Sequence, residues 1–203
     1  MISIDNLPTN HQQNNTDFTV ASYRQLIILA LSSYEVVDYS SINWEKRFLL
    51  WRHDCDFSLN RSLALARIES DLGLKSTFFL NPHCEFYNLL ESSQQDLIHK
   101  IFELGHDIGL HFDAAFYGTT SENDLNRQVE SEASLLETFL GVRPEAFSFH
   151  NPTSFNLTCE ADTYGGLLNC YSKRFKTKVP YCSDSNGYWR FQRLFDVLEE
   201  AKS

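Results

Sequence analysis

Apolar and polar positions along this chain switch between two periods. In 18–34, FTVASYRQLIILALSSY, the apolar residues Tyr23, Leu26, Ile27, Ala30 and Leu31 fall at helical spacing. The chain then alternates. RFLLWRHDCD (47–56) predicts a strand, and LNRSLALARIESDLG (59–73) an amphipathic helix closed by Gly73. STFFLN (76–81) predicts the next strand and QQDLIHKIFELG (94–105) a helix closed by Gly105. DIGLHFD (107–113) is again a strand, and ENDLNRQVESEASLLETFLG (122–141) a helix closed by Gly141. EAFSFHNP (145–152) is a fourth strand stopped by Pro152. Between 153 and 177 the pattern weakens; KVPYCSDS (178–185) predicts a fifth strand and RFQRLFDVLEEAKS (190–203) a terminal helix. Repeated strand–helix units of this length predict a parallel α/β fold, open or closed. Residues 1–17 read as a flexible polar lead-in and 18–203 as a single domain.

In parallel α/β folds ligands gather at the carboxyl ends of the strands, and here those ends carry the unusual residues. They are Asp54 and Asp56, Asn81 and His83, His111 and Asp113, His150 and Asn151, and Ser183, Asp184 and Ser185. Side-chain alternation puts Arg52, Asp54 and Asp56 on one face of the first strand, with His53 and Cys55 on the other. The same rule sets Asp107, Gly109 and His111 together, and Ala146, Ser148 and His150 together. With the apolar faces turned to the helices, Asp54, Asp56, His111 and His150 face inward. An Asp/His/His set with one open position suits a divalent metal holding a water, and a second carboxylate beside it suits a proton acceptor. His106 lies five residues before His111, at the strand's beginning, and reads as structural.

Composition narrows the classes. A net charge of −10 and the lack of any Lys/Arg-rich run argue against a nucleic-acid partner. The start lacks a signal-peptide pattern, and LIILAL is far too short to span a bilayer. Five cysteines with no CxxC pair read as reduced thiols, which points to a cytoplasmic protein. No GxSxG elbow appears, which disfavours a serine hydrolase.

RHDCDFS, TFFLNP, GHDIGLHFD, FSFHNP and YCSDSNGYWR, in that order, resemble the motifs of the polysaccharide deacetylase (NodB-homology, carbohydrate esterase 4-like) superfamily. The branch whose first motif reads His-Asp-x-Asp is the nearer likeness. The resemblance implies a distorted, incomplete (β/α) barrel and metal-dependent hydrolysis of an N-acyl group, most readily N-deacetylation of an acetylated sugar or sugar precursor. On it, Asp54 is the general base, and Asp56 and His111 are metal ligands. Zinc is the first choice of metal, with cobalt, nickel, manganese or iron as others. The family's second metal histidine lies four residues after the first, where this chain has Ala115; His150 is the expected replacement and His106 the fallback. The arginine of the family's third motif is absent from FHNP, and no strand ending in a histidine closes the chain. That leaves His83 as a stand-in acid. It also leaves a second reading, a catalytically impaired metal- or carbohydrate-binding relative, and a third, hydrolysis of another amide, imide or formyl group.

Simpler readings stand beside each residue. Asp56 or Ser58 could cap the following helix, His111 could be bonded to backbone, and Cys55 is core packing. Substrate contact is expected from Asn81, His83, Asp113, Asn151, Asp184 and Trp189. Phe112, Phe116, Tyr117, Tyr188 and Trp189 suit either a sugar-stacking wall or an aromatic core. A saccharide or other small molecule is the expected partner, and a sheet lacking its last strand would leave an edge open to a second copy.

Overall fold

The computed structural model describes residues 17–185 and 187–201. They divide into two compact units: the residues up to Ser33 with those from Tyr181 onward, and Tyr34–Pro180.

The first unit opens with α1 (Val20–Ser33), which buries Leu26, Ile27, Leu29 and Ala30. The second unit starts with two short strands, β1 (Glu35–Val36) and β2 (Phe48–Leu49), paired in parallel. Then come β3 (Arg52–Cys55), α2 (Leu59–Asp71), β4 (Thr77–Leu80), α3 (Ser92–Glu103) and β5 (Asp107–Phe112). After them run α4 (Ala114–Tyr117), α5 (Glu122–Leu140) and β6 (Ala146–Phe149). The unit closes with α6 (Ser154–Thr158), β7 (Thr163–Tyr164), β8 (Leu167–Asn169) and α7 (Lys173–Lys178). The chain returns to the first unit with β9 (Asp184–Ser185), β10 (Tyr188–Trp189) and α8 (Leu194–Glu200), which packs on α1.

The second unit is built on a mixed α/β plan with a six-stranded sheet in the order β3-β4-β5-β6-β8-β7. All pairs are parallel except β7 with β8. The expected strands at 76–81, 107–113 and 145–152 form the middle of this sheet. The expected strand at 47–56 divides in two: β2 pairs with β1, and β3 enters the main sheet one turn of chain later.

The fifth-strand expectation was misplaced. Asp184–Ser185 pairs antiparallel with Tyr188–Trp189 and lies outside the main sheet, whose fifth parallel strand is β8. At three residues β8 is too short to show a period. The signal that marks it is Gly165-Gly166: both glycines have positive φ, 56° and 76°, and turn β7 back onto β8 as a tight hairpin.

Each sheet face has its own core. Phe78, Leu80, Ile108, Leu110, Phe112, Phe147 and Phe149 pack with α2, α3 and α5 residues such as Leu63, Ile98 and Val129. On the other face Phe79 meets Tyr39, Ala146 and Phe175. Gly109 makes room there, since a Cβ on it would lie 2.5 Å from the Phe79 ring. This second face carries Arg52, Asp54, His111 and Ser148 toward the strand ends, as the alternation rule requires. No helix of the described residues is long and apolar enough to cross a membrane.

Candidate metal centre

Three strand ends converge on one point. β3 finishes in a tight turn, with the Asp56 N–H donating to the Asp54 carbonyl at 3.0 Å. Ser58 caps α2 by accepting from the Arg61 N–H, which leaves the Asp56 carboxylate out of the helix terminus. From β5 comes His111, buried to 3% exposure. The residue after β6, His150, is pinned by its N–H donating to the Phe112 carbonyl at 2.8 Å.

The donor atoms form a nearly equilateral triangle. His111 Nε2 lies 3.2 Å from Asp56 Oδ1, His150 Nδ1 lies 3.3 Å from the same oxygen, and the two imidazole nitrogens are 3.2 Å apart. Asp56 Oδ1 is buried, and no hydrogen bond among the described residues satisfies it. Buried polar atoms are ordinarily paired, and an orphaned carboxylate oxygen facing two ring nitrogens is a place that could hold an ion. Ligand atoms about 2.0–2.1 Å from a tetrahedral zinc sit roughly 3.3 Å from one another. The residues fit a divalent metal. On the outer side of the site Asn151 Nδ2 lies 3.0 Å from His150 Nε2; only with the amide turned over would its oxygen accept an Nε2–H and leave Nδ1 free to ligate. Asn151 adopts φ 45°, a left-handed conformation that asparagine tolerates.

Asp54 stands beside the triangle, its Oδ1 3.8 Å from His111 Nδ1. Burial pushes its carboxyl up, but the Arg52 charge, with His111 behind it, holds it below the ordinary carboxylate value. Arg52 is the neighbour of the site that sequence reasoning left without a role. Its guanidinium donates to Asp54 Oδ1 and, at 2.6 Å, to Ser148 Oγ, while lying 4.5 Å above the Phe79 ring. The signal was its place on the Asp54–Asp56 face of the strand.

No family model matches this chain, and no curated protein matches it either. The site therefore rests on its own geometry.

The remaining expected site residues have separate employments. Asn81 is buried and shapes the turn after β4, accepting the His83 N–H at 2.8 Å. Asp113 caps α4 through the N–H groups of Ala115 and Phe116. His83 stacks on Phe116 at 3.5 Å, with Nε2 2.8 Å from Glu132 and 3.3 Å from the Tyr117 hydroxyl. Burial pushes the Glu132 carboxyl up to about 8, and lowers His83. Glu132 sits on α5 in a pattern that reads as an ordinary polar helix position, and nothing in the sequence betrays its burial. Asp184 and Trp189 belong to the first unit, where the Trp189 indole donates to Asp17 at 3.1 Å. Of the aromatic candidates, Phe112 is fully buried core. His106 lies apart from the triangle, bonded to the Ala66 carbonyl and to Ser76. Cys55 is buried and its thiol is pushed up to about 12 by that burial, which suits packing rather than nucleophilic work.

Proposed function

We propose that this chain is a metal-dependent hydrolase of non-peptide carbon–nitrogen bonds, of the polysaccharide deacetylase type, removing the acetyl group from an N-acetylated sugar or sugar precursor. The observation that carries the reading is the Asp56–His111–His150 triangle with an ionised carboxylate, Asp54, alongside it. Motif likeness and donor set agree on this chemistry, and the mostly parallel sheet accords with an incomplete (β/α) barrel.

In this reading Asp56, His111 and His150 hold the metal, zinc by preference. A bound zinc lowers the pKa of a coordinated water and polarises the acyl oxygen. The chain's own residues do the rest. Asp54 Oδ accepts the proton of the attacking water, and Arg52 keeps that carboxylate ionised and aimed by bonding it and Ser148 together. Asn151, with its amide oxygen turned to Nε2, would hold His150 in the tautomer whose Nδ1 can ligate.

The test is acetate release from a panel of acetamido sugars by zinc-loaded protein, compared with Asp54→Asn. Release by the wild type and a loss of about 10²–10⁴-fold in the variant support the reading. Equal background from both overturns it, and metal binding without turnover would favour the metal- or carbohydrate-binding relative.

A further inference from the structure

After β3 and after β4, two large aromatic side chains stand largely in solvent. Phe57, the residue after the ligand Asp56, is 69% exposed, and Phe86, in the loop after β4, is 61% exposed. Their rings face each other with centroids 4.9 Å apart. The loop that carries Phe86 is fixed to the end of β3 rather than loose. The Tyr87 hydroxyl donates to the Cys55 carbonyl at 2.6 Å and accepts the Asn81 N–H at 3.2 Å. Cys84 Sγ lies 3.2 Å from the Asp56 carbonyl and 3.4 Å from the Phe86 N–H, so one thiol links a metal-ligand residue to the aromatic pair.

Phe57, Phe86 and Tyr87 line an open cleft of about 240 Å³. An aromatic pair that lines a cleft together with polar side chains has the make-up of a small-molecule site. Its chemistry is specific. The lining adds the side chains of Asn60, Asn88, Gln94 and Glu91 to the two phenyl rings, and contains no lysine or arginine. Glu91 occupies the N-cap position of α3 without making a side-chain capping bond. Amides and one carboxylate around an aromatic face offer hydrogen bonds to hydroxyl groups and a surface for C–H contacts, but nothing to neutralise an anion. The cleft is smaller than the roughly 300–1,000 Å³ typical of drug-sized sites, which suits a single ring.

We infer that the Phe57–Phe86 cleft, which begins one residue along the chain from Asp56, binds one neutral pyranose ring of the substrate. The inference rests on the saccharide reading above and sharpens it: the substrate is an uncharged glycan, and a sugar carrying phosphate or carboxylate beside the reacting residue is disfavoured. The ring lies against the phenyl faces, and the amide side chains take its hydroxyls.

The experiment uses the full chain and three probes: cellobiose, N,N′-diacetylchitobiose and N-acetylglucosamine 1-phosphate. Binding is read by saturation-transfer NMR with titration, and KM by acetate release where turnover occurs. Both neutral disaccharides should bind, and cellobiose should do so equally in wild type and Asp54→Asn. Phe57→Ala with Phe86→Ala should weaken them about tenfold, with an unchanged melting temperature because both rings are exposed. Gln94→Ala, a milder change, should weaken them less. If cellobiose binds through the two rings but no acetate is ever released, the cleft stands and the deacetylase reading falls. Unaltered affinity and KM in the double-alanine variant would overturn the cleft. So would tighter binding of the sugar phosphate, or a self-association abolished by the same two substitutions.

Discussion

Neighbouring residues of one strand lead to two clusters of opposite character. Asp54, on one face of β3, leads to the Asp56–His111–His150 triangle; His53, on the other face, leads to a second group of buried polar residues. There His53 Nε2 lies 2.5 Å from Glu69, whose second oxygen accepts the Ser76 hydroxyl at 2.5 Å. Ser76 in turn lies 3.0 Å from His106 Nδ1, and His106 Nε2 donates to the Ala66 carbonyl at 2.9 Å. Both histidines pack on Phe78, His53 stacked at 4.8 Å and His106 edge-on at 5.3 Å. Each cluster has two imidazoles and a carboxylate, but in the second every partner comes from the chain. In the first, Asp56 Oδ1 and His111 Nδ1 are buried without a hydrogen bond among the described residues. A closed network ties α2 to the starts of β4 and β5. The open one has the donor atoms that could hold a metal ion.

Substitutions can separate the two. The largest effect is expected from His111→Ala, which removes one corner of the triangle: bound zinc should fall from one per chain to none by elemental analysis, and acetate release should vanish. Asp54→Asn should keep the metal and lose turnover by about 10²–10⁴-fold, since it removes a proton acceptor rather than a ligand. Glu69→Ala should do the reverse, leaving metal content intact while lowering stability by about 3–5 kcal/mol in denaturant titration, because His53, Ser76 and His106 lose a common buried partner. If Glu69→Ala instead costs metal and leaves stability alone, the division between the clusters is wrong.

A smaller effect concerns Glu132, which His83, Tyr117 and Asp113 face. Its folded carboxyl holds a proton up to about 8, while the unfolded chain releases it near the ordinary value of 4.5. Its contribution is therefore fully present at low pH and is lost as the pH rises through that window. Between pH 5 and 8 the melting temperature should change with a more negative slope in the wild type than in Glu132→Gln, since burial of His83 acts in the opposite direction in both; identical slopes would remove Glu132 as a cause.

The same contrast explains what could be read in the sequence. The strands β4, β5 and β6 and the long helices were legible because period and glycine stops agree there. The inward set Asp54, Asp56, His111 and His150 followed from period-two alternation alone. Alternation cannot show how a cluster is completed from distant elements. Glu69 and Glu132 look like surface positions on amphipathic helices, yet each is buried by the histidine it meets. Arg52 could be placed on the right face, but its bridge between Asp54 and Ser148 depends on strands 96 residues apart in sequence. The strand β8 was lost because three residues carry no period, and only its two glycines announce it.

The central claim is that the triangle holds a metal, and cobalt binding tests it most directly. Titrated with Co²⁺, the wild-type chain and His83→Ala are expected to bind one equivalent with the intense visible absorption of a low-coordinate site, while His150→Ala loses both stoichiometry and colour. One equivalent retained unchanged in His150→Ala, or no cobalt bound by the wild type, would contradict it.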